Sequence, residues 1–194
     1  VGLGTGTLAA YCRKGDELTF YELDPDIETL ARKQFDYLNS SLGQVAVIAG
    51  DARLSLAKAE DNSLDWIIVD AFSSDAIPVH LLTKEAIQLY QRKLNGAGRV
   101  IFHVSNRYYD LKPILAVTAA TLDLKIAIGA RASGAVADYE LPSTWVMLLP
   151  NSSEVDKLRG LGWYTYADRQ LSISPWTDDY ASIIVPLWFR KFPP

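Results

Sequence analysis

Two periods alternate along the chain. Short apolar, β-rich runs are separated by stretches whose apolar residues recur at helical spacing. Leu18 to Leu23 (LTFYEL), Val45 to Ile48, Leu64 to Val69 (LDWIIV), Val100 to Val104, Lys125 to Ala130 and Trp145 to Leu149 read as strands. Between them, Asp26 to Leu38 carries Ile27, Leu30, Ala31, Phe35 and Leu38 on one helical face, with Pro25 at the first helical position and Asp24 as its cap. Thr7 to Arg13, Ala52 to Ala59, Thr83 to Leu94 and Leu111 to Leu122 read as further helices, the third with Thr83 and Ala86 in an imperfect capping pattern and Gly96 just past its end. Pro113 fits only the first turn of the fourth.

Alternating strands and helices with near-continuous apolar strands predict an α/β fold, a mostly parallel sheet covered on both faces. The last two strands have no long helix between them, so they are expected to form an antiparallel edge hairpin around Gly134 to Ser143. After Pro150 the chain becomes aromatic, with Trp163, Tyr164, Tyr166, Trp176, Tyr180, Trp188 and Phe189, and a short helix is expected near Ser153 to Arg159. The organisation predicted is a nucleoside-binding domain over 1–150 and a C-terminal extension over 151–194 packed on it. No internal repeat or low-complexity linker interrupts it.

Composition narrows the classes. Of 194 residues, 49% are hydrophobic and 22% charged, so disorder is not expected and a single core is affordable. The formal net charge of −4 gives no general footprint for nucleic acid. The lone Cys12 excludes an internal disulfide and any multi-cysteine metal site. No apolar run reaches membrane-span length and no signal peptide is visible. No nucleic-acid partner and no membrane contact by this segment are therefore expected, with a cytoplasmic location.

Candidate chemistry begins at VGLGTG. Gly2, Gly4 and Gly6 stand at the exit of a presumed first strand, where they let a backbone approach a ligand. A dinucleotide fingerprint needs its third glycine where this chain has Thr7, which weakens the pyrophosphate reading. Glu22 ends the second strand about 20 residues after the first glycine, where a carboxylate accepts from ribose hydroxyls. A glycine-rich turn alone is as readily an ordinary tight turn; with Glu22 at that distance, ribose binding is favoured. Asp51, in Gly50-Asp51-Ala52, suits both a helix cap and a hydrogen bond to an adenine amino group, and the two are compatible.

Asp70 follows LDWIIV, and Asp75 follows within DAFSSDAIP. Ligands of open α/β sheets lie outside the carboxyl ends of the strands, so Glu22, Asp51 and Asp70 are expected to converge on one crevice. Several carboxylates there point to a cationic substrate, with Asp70 the candidate base for an amine nucleophile. Asp75 equally fits a Ser-Ser-Asp turn. His103, within an apolar strand, reads as a core histidine and His80 as structural; neither has a metal-binding set. Tyr108 and Tyr109 follow the fifth strand and could stack on a substrate or simply pack. Asp178 and Asp179 lie between Trp176 and Tyr180, as turn acids or as part of a cation-binding wall.

The ordered set VGLGTG, YELDP, GDAR, VDAFSSDAIPVHLLTKEA, HVSNRYYDL and WTDDY resembles the spermidine synthase-like (polyamine aminopropyltransferase) group within the S-adenosylmethionine-dependent methyltransferase fold, and among its members the transporter-fused subgroup most. The resemblance implies a Rossmann-like, mostly parallel seven-stranded sheet and a bound sulfonium nucleoside. It also implies Glu22 on the ribose, Asp51 and Ala52 on the adenine, Asp70 on the acceptor amine, and a homodimer. Two departures matter. The aspartate of the group's G-G-D-G loop is Thr5 here, removing a charge-assisted contact and leaving room for a donor that keeps its carboxylate. The D-S-x-D-P motif is altered, so that Asp70 aligns and Asp75 is displaced by two residues.

Three readings follow. The first is aminopropyl transfer from decarboxylated S-adenosylmethionine to a cationic amine. The second, favoured by Thr5, is methyl transfer from intact S-adenosylmethionine to a small acceptor. The third is a non-catalytic nucleoside-binding fragment or regulatory domain. Such transfers need positioning rather than a metal, so none is expected. Methyltransferase-type loops commonly carry an acid two residues before the first glycine, which places it ahead of Val1, and the first strand is expected to be truncated.

Overall fold

A computed structural model describes residues 1–72, 77–106, 108–131, 142–166 and 173–191, without the side chains of 188–191. The chain divides into two compact units, Val1–Ala59 and Glu60–Pro194.

In the first unit, β1 (Glu17–Glu22) and β2 (Gln44–Ala49) pair in parallel, from Glu17 opposite Gln44 to Glu22 opposite Ala49. Between them runs α1 (Pro25–Gln34), capped as its sequence requires: the Asp24 carboxylate accepts from the Asp26 N–H, and Pro25 occupies the first turn. The helix stops at Gln34 rather than continuing to Leu38, and Phe35 stacks on Tyr37 beyond its end. A second helix, α2 (Ala52–Lys58), begins on the Asp51 cap. Leu3, Ala9, Phe20, Ala31 and Leu38 are buried together at the centre of this unit.

The N-terminal expectations need correction here. Gly2, Gly4 and Gly6 have φ of 86°, 53° and 81°, left-handed conformations incompatible with a continuing strand. Where that strand was expected, the Gly2 N–H bonds the Tyr21 carbonyl at 2.9 Å. The helix expected over Thr7 to Arg13 is a 3-10 turn over Thr7–Tyr11. A Cβ at position 6 would stand 2.8 Å from the Leu38 side chain, so this glycine is required by packing as well as by φ.

In the second unit the sheet order is β3-β4-β6-β5. β3 (Leu64–Val69) and β4 (Leu94–His103) are parallel, whereas β6 (Ser143–Leu149) pairs antiparallel with both β4 and β5 (Lys125–Arg131). The expected hairpin forms, with β5 at the edge; its connecting residues 132–141 lie outside the described ones. The seven-stranded, mostly parallel sheet is not what is found: the described strands form one two-stranded parallel sheet and one four-stranded mixed sheet. The reason is local. β6 lies between β4 and β5 and pairs antiparallel with both, which makes the sheet mixed.

β4 begins at Leu94, directly after α3 (Lys84–Lys93), because Leu94 pairs with Leu64. Gly98 permits this, since a Cβ there would lie 2.7 Å from the Leu64 carbonyl. α3 is capped by Thr83, whose hydroxyl accepts from the Ala86 N–H. On the sheet, α4 (Lys112–Thr121) buries Ile114 and Leu115, and α5 (Ser152–Arg159) buries Val155 against Ala127, Met147 and Leu149. A bidentate Arg99–Glu154 ion pair ties β4 to the first turn of α5. A sixth helix, α6 (Ile184–Lys191), was not anticipated; its Pro186 carbonyl accepts from the Asp110 N–H just before α4.

Candidate functional site

The residues expected to hold a nucleoside lie in the first unit. Glu22 ends β1, and both of its carboxylate oxygens are engaged by main chain: Oε2 accepts from the Leu3 N–H at 2.8 Å and Oε1 from the Asp24 N–H at 3.1 Å. Glu22 thus latches the glycine loop to the end of its own strand. Each oxygen keeps a second lone pair, so a ribose hydroxyl can still donate to it. Asp51 Oδ1 caps α2 by accepting from the Leu54 N–H at 2.9 Å, and Ala52 opens that helix with its side chain buried. Thr5, exposed, bonds its hydroxyl to that of Thr7 at 2.7 Å. Beside Glu22, burial pushes the Tyr21 phenol above its ordinary pKa, so it stays protonated.

The candidate base lies in the second unit. In the parallel register Val69 pairs with Phe102, both fully buried. One step further along each strand, Asp70 and His103 come side by side, with Asp70 Oδ1 2.7 Å from His103 Nδ1. The antiparallel register opposes His103 to Trp145, and the two rings stack at 4.3 Å and 15°. Phe72 meets the imidazole edge-on at 5.1 Å. The other ring nitrogen, Nε2, is 2.8 Å from Ser105 Oγ, and Ser105 Oγ accepts from the Thr144 N–H at 2.8 Å. The Asp70 side chain is 35% exposed and that of His103 21%, so the carboxylate is the more accessible member.

His103 was read as a core residue; the structure makes it the direct partner of Asp70. The available signal was that two neighbouring apolar strands both end in a polar, titratable residue. Past Ser105, Asn106 Oδ1 accepts from the Tyr108 and Tyr109 N–H groups, turning the chain and leaving Tyr108 half exposed. Ser105, Asn106, Tyr109, Asp110, Lys112 and Thr144 surround a small polar pocket of about 40 Å³.

Asp178 is anchored at the start of α3. Its Oδ1 accepts from the Thr83 hydroxyl at 2.8 Å, and its N–H donates to Glu85 Oε2 at 3.0 Å. Asp179 beside it is exposed. Asp75 lies outside the described residues. Among the described residues, no three His, Cys, Asp or Glu side chains are grouped to hold a metal ion, and no helix is long and apolar enough to cross a membrane.

Comparison with known proteins bears on the fold. No protein-family model matches the chain. A polyamine aminopropyltransferase of Vibrio vulnificus is 26% identical over 117 residues, 57% of this chain and 38% of that protein. The crystal structure of a probable spermidine synthase from Corynebacterium glutamicum superposes with a TM-score of 0.55 and 21% identity, over 75% of this chain and 52% of that one. Human methyltransferase-like protein 13, solved in complex with SAH, superposes with a TM-score of 0.53 and 19% identity, over 89% of this chain and 84% of that one. The chain is similar to spermidine synthases and to methyltransferases, and its fold is the Rossmann-like α/β fold of the latter. It spans well under two thirds of the length of the aminopropyltransferase and of the spermidine synthase.

Proposed function

We propose that this chain is a spermidine synthase-like transferase that takes a sulfonium nucleoside as donor and passes an aminopropyl group to a cationic amine. The observation that carries the reading is Asp70, a partly exposed carboxylate held through one oxygen by His103 at the end of β3. The amine nitrogen attacks the methylene carbon next to sulfur, the carbon–sulfur bond breaks, and methylthioadenosine leaves. Asp70 Oδ2 accepts the proton that the amine gives up, a general-base role for which a carboxylate within hydrogen-bond reach is suited. Glu22 and Asp51 would orient the nucleoside through its ribose and adenine, and Ala52 and the glycine loop would lie against it. Asp75, Tyr108, Asp178 and Asp179 are assigned to the acceptor, whose positive charges acids and aromatic faces both attract. No metal takes part in this scheme.

The aminopropyltransferase relative supports this reading. Thr5 favours the second one, methyl transfer from intact S-adenosylmethionine, because no acid in the loop repels the donor carboxylate. The leaving nucleoside separates the two. With both donors and a diamine supplied, methylthioadenosine should accumulate only with the decarboxylated donor. S-adenosylhomocysteine formed from the intact donor instead would replace the first reading by the second.

A further inference from the structure

We propose that His103 is a positioning residue for Asp70, and that the main chain of β6 sets its tautomer through Ser105. This inference rests on the reading of Asp70 as the base. It starts from a donor–acceptor count. Asp70 Oδ1 and His103 Nδ1 are 2.7 Å apart, so a proton must lie between them. Ser105 Oγ accepts from the Thr144 N–H on one lone pair and keeps its hydroxyl proton to donate, and His103 Nε2 lies 2.8 Å away. With Nε2 accepting, the ring proton of the neutral imidazole sits on Nδ1 and is donated to Asp70 Oδ1.

The chain therefore runs in one sense, from the Thr144 amide to the Ser105 hydroxyl, the imidazole and the carboxylate. Trp145 stacked on one ring face and Phe72 against the ring hold the imidazole in that orientation. One oxygen of Asp70 is committed to Nδ1–H, which leaves the other to serve the amine of the proposed reaction. The occupied lone pair of Ser105 fits a hydroxyl that orients a neighbour rather than one that attacks a substrate. A histidine serving only to fill space would need no such coupling, and its tautomer would not matter to turnover.

Two measurements test this, one of them independent of turnover. The chain has only two histidines, so nitrogen NMR of the labelled protein reads each ring directly. The expected result is a protonated Nδ1 and an unprotonated Nε2 on His103, with that preference lost in Ser105→Ala. A protonated Nε2 in the wild type overturns the inference, whatever the protein catalyses. The second compares His103→Asn, whose amide can stand in for Nδ1–H, with His103→Gln, whose amide reaches toward Ser105. In His103→Gln, kcat should fall about 10²-fold, the cost of a misplaced catalytic group, with donor affinity unchanged, and His103→Asn should restore most of it. Equal loss in both variants, or none in His103→Gln, overturns the positioning role. A wild-type protein that turns over neither donor refutes the functional reading alone, because the NMR result stands apart from it.

Discussion

The candidate donor-binding carboxylates and the candidate base are held in different ways. In the first unit, Glu22 and Asp51 accept from main-chain N–H groups, at Leu3, Asp24 and Leu54. These contacts shape a loop and a helix start. In the second unit, Asp70 is held by an imidazole and Asp61 by the ammonium of Lys93. Those partners are themselves acids or bases, so proton position becomes part of the contact. Under the proposed function, Glu22 and Asp51 are suited to binding and Asp70 to accepting a proton.

Three substitutions or conditions can break that contrast. The largest effect is expected from Asp70→Asn. It should lower turnover by about 10² to 10⁴-fold, the usual contribution of a general base, while donor affinity stays within error. Loss of donor binding would instead make Asp70 a donor contact. Next is Glu22→Ala, which removes one charge-assisted bond to the glycine loop, at Leu3, and one to Asp24. Donor affinity should fall sharply, and stability by about 1–3 kcal/mol, measured by calorimetry and by denaturant titration. Unchanged affinity would refute the ribose role and leave Glu22 only its latch.

The smallest effect concerns Asp61. The hydrogen bond from Lys93, 2.6 Å away, lowers its pKa below the ordinary carboxylate value despite some desolvation. A carboxyl group with a folded-state pKa below its unfolded one contributes stability above the unfolded value, and that contribution disappears as pH falls through the lowered one. The Tm advantage of the wild type over Asp61→Asn should therefore be constant near neutrality and vanish on acidification below the ordinary carboxylate range. An advantage that survives there would mean that the pair acts through packing.

Much of this was legible locally. LDWIIV forms a strand over the same residues, and the Asp24-Pro25 and Thr83 caps start their helices where the side chains indicate. Caps and apolar runs depend on a few neighbouring residues. What escaped depends on distant ones. β4 starts early because Leu64 pairs with Leu94, and Gly96 falls inside the strand instead of ending a helix. The sheet is mixed because β6 comes back between β4 and β5. His103 gains its role only where β3 brings Asp70 on one side and β6 brings Trp145 and Thr144 on the other. In the loop, Glu22 was anticipated as a ribose acceptor, but its hold on Leu3 needed the three-dimensional return of the chain.

The nature of the donor is the centre of the account, and titration calorimetry with intact and decarboxylated S-adenosylmethionine side by side tests it most directly. Tighter binding of the decarboxylated donor, which lacks the carboxylate that Glu22 and Asp51 would repel, is expected. Tighter binding of the intact donor would contradict it.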